Sequence, residues 1–122
     1  MKIIDRTVQL ALQNDSELSQ SVGSKVFRYV VPVAFEEDWP FIRVASINNI
    51  DTQYADDKAT DSTITIQVDV WDKDPDPLIP EVDRIMKSLD FKRVSAYPEY
   101  NDKKGEVRMI MRYETITNIK EN

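Results

Sequence analysis

The sequence has no cysteine and no histidine. The first absence excludes disulfides, thiolate zinc centres and a cysteine nucleophile, and it suits a reducing compartment. The second removes the commonest metal ligand and the usual general base near neutral pH. Any catalysis would have to run on carboxylates, lysines, hydroxyls or tyrosines. Glycine is scarce too: Gly23 and Gly105 lie far apart, so there is no glycine-rich phosphate loop, and no Gly-x-Ser-x-Gly elbow. Apolar runs are only a few residues long, as in Tyr29-Val30-Val31, so nothing is expected to span a bilayer. The start, Met1-Lys2-Ile3-Ile4-Asp5, lacks the pattern of a signal peptide.

What is present is ordinary for a folded domain. The 122 residues fit one domain with one core, and 41% hydrophobic with 31% charged residues is neither disordered nor membrane-like. The formal charge of −6 comes with scattered Lys and Arg, adjacent only at Lys92-Arg93 and Lys103-Lys104. No basic stripe would track phosphates, so sequence-specific nucleic-acid binding is not expected. An acidic surface aids solubility and keeps a protein from adhering to DNA.

Periodicity predicts the elements. Ile3–Leu12 has helical spacing, and Asn14-Asp15-Ser16 breaks it and is expected to cap a short second helix through Ser16, Glu17, Leu18 and Ser19, which Gly23 ends. Lys25–Val31 reads as a strand closed by Pro32, and residues 32–39 as a connector. A second strand runs from Phe41 to about Ile50. The acidic segment Asp51–Asp61 has little to bury and is expected to be an extended hairpin arm or a mobile loop. In Ser62–Trp71, Ile64, Ile66, Val68 and Val70 alternate with polar residues, the signature of a strand with one buried face. A 72–77 turn follows, with Asp76 expected to cap a helix that opens at Pro77 and carries Leu78, Ile79, Val82, Ile85, Met86 and Leu89 in one stripe. Strands are predicted over Phe91–Tyr97 and Glu106–Ile116, the latter with Val107, Met109, Met111 and Tyr113 inward, and a polar tail is expected to fray from 117. The fold class is therefore α+β: a single antiparallel or mixed sheet of about five strands, with two main helices packed on one face, forming one domain over residues 1–122.

Two constellations merit weighing. Asp72, Asp74 and Asp76 alternate as in a calcium loop, with Asp69 and Asp83 nearby. However, Pro77 stands where the loop needs glycine, Asp83 replaces the bidentate glutamate, and a strand precedes it, so a proline-rich acidic turn is the better reading. An acidic metal-dependent hydrolase built on these carboxylates lacks a positioned lysine and a cationic groove. Ile110 lies between Arg108 and Arg112 on the otherwise polar face of the last strand, which marks either a second buried surface or a contact with another chain.

The order and spacing of these segments resemble the tail-completion or tail-terminator proteins of long-tailed bacteriophages and prophages, over residues 3–116. The stretches that carry the resemblance are 14–27, where a short helix ends at Val-Gly before a strand; Asp38-Trp39-Pro40-Phe41-Ile42-Arg43-Val44, where the family opens a strand with Leu-Pro-Tyr-Val-type residues; and Ile66–Trp71, followed by a turn, a helix ending at Leu89, Arg93-Val94 and a closing strand. The Asp- and Pro-rich 72–77 turn departs from the pattern. The resemblance implies a non-enzymatic structural protein without cofactors, made in the host cytoplasm and placed in the virion tail. It implies a ring, commonly hexameric, between the tail tube protein and the head connector or stopper protein; a stopper or other minor tail component is the alternative. Assembly contacts are expected at Ile110, Arg108 and Arg112 and, on the acidic segment, at Tyr54, Asp56 and Asp57.

Overall fold

A computed structural model describes residues 3–56 and 58–118. Its elements run α1 (Asp5–Asn14), α2 (Ser19–Val22), β1 (Val26–Arg28), β2 (Phe41–Ala55), β3 (Lys58–Asp72), α3 (Ile79–Ser88), β4 (Lys92–Asn101) and β5 (Glu106–Asn118), with a 3-10 turn at Val33–Phe35. The five strands form one mixed sheet in the order β1-β2-β3-β5-β4. Only the β1–β2 pair is parallel. This is the expected α+β architecture.

The alternation in β3 sets which face meets the helices. Ile64, Ile66, Val68 and Val70 are buried with Ile42 and Val44 of β2 and Met111 and Tyr113 of β5, against Val8 and Leu12 of α1, Val22 of α2, and Val82, Ile85 and Met86 of α3. Each such buried aliphatic side chain contributes about 1.5–3 kcal/mol, so this cluster is the main source of stability. Two ion pairs pin the helices to the sheet. In the first turn of α1, the buried Asp5 carboxylate accepts from Arg28 Nε at 2.8 Å and Nη2 at 3.2 Å. Burial works to raise the Asp5 pKa, but hydrogen bonds from Arg28 and Tyr29 prevail and hold it below the ordinary value. On α3, Asp83 accepts from the Tyr113 hydroxyl of β5 at 2.9 Å and pairs with Arg93 of β4 at 3.4 Å, while Lys87 of the same helix pairs with it at 2.7 Å. There too desolvation opposes the shift, and Lys87, Tyr113 and Arg93 together lower the pKa.

Several boundaries differ from the sequence reading, each for a physical reason. β1 stops at Arg28 because Tyr29 takes a left-handed φ of 70° and turns the chain out of the sheet. That conformation costs a non-glycine residue about 1 kcal/mol or more, and the Arg28–Asp5 clamp beside it helps hold the turn. β2 and β3 run on past Ile50, making the 51–61 segment the end of a long hairpin, so the arm rather than the loop is what forms. β4 continues through Pro98 to Asn101, which an edge strand permits because a missing ladder donor can face solvent. β5 includes Thr117 and Asn118, so fraying there is not seen; the rest of the expected tail lies outside the described residues.

Within the expected 14–16 break, Asp15 accepts from the backbone N–H groups of Glu17 and Leu18 in the turn that leads into α2, whose own cap position, Leu18, has no side-chain cap. Helix α3 opens at Ile79, with Leu78 at the cap position and no side-chain cap, because Leu78 N–H closes a turn onto Pro75 O. Asp76 and Pro77 belong to that turn, and Pro80 is the proline of the first helical turn.

Candidate assembly surface

The sheet face away from the helices carries the alternate residues of each strand. On β3 these are Thr65, Gln67, Asp69 and Trp71, which fall in register with Arg43 and Phe41 of β2 and with Arg108, Ile110 and Arg112 of β5. Asp69 has no exposed surface. A buried carboxylate is tolerable only when its charge and lone pairs are satisfied, and here they are. Oδ2 accepts from Arg43 Nη2 at 2.6 Å and Nε at 3.1 Å, and Oδ1 accepts from Arg108 Nε at 3.1 Å. Gln67 Nε2 donates to both oxygens at 3.1 Å, and its Oε1 accepts from Arg112 Nε at 3.1 Å.

The network ends on aromatics. Trp71 stacks on Phe41 with ring centres 5.1 Å apart, and the Arg43 and Arg108 guanidiniums lie 5.6 and 5.1 Å from the Trp71 ring centre. Such cation–π contacts are worth about 0.5–2 kcal/mol each. Beside them is a cleft of about 280 Å³, lined by Tyr29, Phe41, Arg43, Trp71, Lys104 and Glu106 among others. Glu106, one of the lining residues, accepts from Trp39 Nε1 at 3.0 Å.

The residues expected to make assembly contacts fall into two groups. Ile110 is 4% exposed, in register with Asp69 on one side and Tyr97 on the other. Within the subunit it therefore belongs to a second buried surface, flanked by Arg108 and Arg112. Arg108 is drawn into the Asp69 network, while Arg112 keeps an exposed side chain. Tyr54 is 65% exposed near the tip of the arm, and Asp56 is exposed in its turn with φ 53°. Asp57 lies outside the described residues. Ten residues of β3 separate the arm tip from Asp69, roughly 33 Å of strand, so the two groups do not meet within one chain.

Sequence reasoning missed Arg43, Gln67, Asp69 and Trp71 as one unit. The visible signal is an aspartate in the middle of the best-patterned strand, which its place in the sequence sets beside the acidic turn. The fold separates that grouping. Asp69 faces the open side, Asp72 accepts from Lys73 N–H, Asp74 accepts from Asp76 N–H, and Asp83 sits on α3.

No family model and no curated protein sequence matches this chain. The fold does recur among solved structures. A chain in the structure described as "Virion of native gene transfer agent (GTA) particle" superposes with a TM-score of 0.59, covering 91% of this chain and 91% of that one, at 12% identity. The likeness is one of fold.

Proposed function

We propose that this protein is a structural virion component that forms a ring completing a phage tail at its head-proximal end and permitting head–tail joining. The observation that carries the reading is the fold shared over 91% of both chains with a chain of a gene transfer agent virion. Residues 1–122 act as one domain in this reading. The ring, commonly six copies, sits between the tail tube protein and the head connector or stopper protein, with no cofactor and no catalytic step. Because the formal charge of −6 multiplies with copy number, the passage would repel DNA rather than hold it.

A stopper or another minor tail component built on the same fold is the second reading. An acidic hydrolase is less favoured, because the carboxylates that would serve it are dispersed, with Asp69 neutralised by arginines. The test is electron microscopy of particles made with and without this protein. Tails of unregulated length, or tails that fail to join heads, are expected in its absence. Normal particles would overturn the reading.

A further inference from the structure

We infer that the acidic arm at the end of the β2–β3 hairpin seats on the open sheet face of a second copy of this chain, against Arg112 and Tyr97. The inference rests on the ring reading above and names its contact surface. Residues 51–61 hold four aspartates against one lysine. Asp56 and Asp61 have no cationic partner among the described residues. The arm also carries exposed apolar surface: Tyr54 at 65%, and Ile50 at 50% with Ile116 at 63% flanking Thr63 on the open face. A monomer gains nothing from exposing three such side chains together with unpaired charge.

The receiving surface is complementary. On a chain of net charge −6, the centre of the open face gathers Arg43, Arg108 and Arg112. Asp69 is shared by the first two, and the exposed Glu99 lies 3.7 Å from Arg108. Arg112 has no carboxylate partner among the described residues; it donates only to the neutral Gln67. Tyr97, 46% exposed, stands one strand over and offers an apolar body with a polar tip. Both surfaces belong to one continuous sheet, so the arm cannot bend back onto its own face. Two unlike surfaces at different ends of one sheet make heterologous contacts, which close into a ring when the rotation allows.

The test uses the full chain in analytical ultracentrifugation, with Arg112→Glu, Asp61→Lys and the double variant, each checked for an unchanged thermal melt. Each single reversal is expected to weaken self-association by about tenfold or more, and the double variant to recover most of the loss. As a second measurement, Tyr54→Cys combined with Tyr97→Cys, on a chain with no other cysteine, should form disulfides between copies and none within one. A closed oligomer indifferent to the charge reversals and lacking that cross-link would overturn the arm-on-face contact and leave the ring reading standing. A chain that stays monomeric at every concentration, or stops at a twofold dimer, would likewise overturn the arm-on-face contact, whereas the ring reading falls only if particles made without this protein are normal.

Discussion

At the scale of single residues, Asp69 is the most consequential side chain outside the helix-covered core. Its charge is buried and matched by two arginines, each with about a quarter of its side chain exposed. Removing one member of such a pair costs more than the pair contributes, because the remaining charges lose their counter-ion. Asp69→Asn should therefore lower stability by about 3 kcal/mol in urea unfolding. Asp76→Ala should stay within about 0.5 kcal/mol, since that residue caps nothing. Equal effects would mean that the open-face network is not formed. Ile110→Ala should cost about 2–4 kcal/mol, as for other buried aliphatics; a neutral result would mean that the position is not covered within the subunit. The sequence showed that Ile110 was out of pattern but not why, because its surroundings are assembled by strands far apart in the chain. Arg43 and Asp69 meet only once the β2–β3 register is set.

Titration also belongs to this scale. Asp5 and Asp83 have lowered native pKa values, so the folded state holds their protons less tightly than the unfolded chain does. Their contribution is complete above the ordinary carboxylate value of about 3.9 and is lost as pH falls through the lower native values. Glu17, raised by the neighbouring Glu81 carboxylate, acts in the opposite sense but is exposed. With no histidine to titrate, the urea midpoint should be level between about pH 6 and 8 and fall below about pH 4. Asp83→Asn should flatten part of that acid limb. A midpoint that moves between pH 6 and 8 would contradict the assignment.

At the scale of elements, local pattern was legible wherever one face is buried. Ile64–Val70 alternates so cleanly that strand and inward face followed directly, and the α3 stripe was as clear. Gly23, at φ 62°, ends α2 as expected. Ends were less legible because they depend on tertiary partners. The Asp51–Asp61 arm has almost no apolar alternation, and it is strand because it pairs with itself. Beyond Asp61 it loses β5, whose last paired residue is Asn118, and becomes a two-stranded ribbon, which is marginally stable in water. Hydrogen exchange in the isolated subunit should therefore show fast amides over the arm tip and strong protection over 64–70. Equal protection in both would mean that the arm is already held.

At the scale of the whole molecule, one architectural asymmetry matters most. The helices cover one side of the sheet, and the other side keeps a paired ionic centre, exposed tyrosine and a charged arm reaching beyond the core. The fold class was readable from element order. The open face was not, since it is a property of which strands lie beside each other. The proposed contact would cover the acidic, tyrosine-bearing arm that an isolated subunit leaves in solvent. The central claim is that this chain sits in a closed ring at the head-proximal end of a tail. Electron cryomicroscopy of intact particles at the head–tail junction tests it most directly. The account predicts a single ring of copies there, between the tube and the connector, with each arm in contact with the next copy. Particles in which this chain is absent, or lies elsewhere than at that junction, would contradict it.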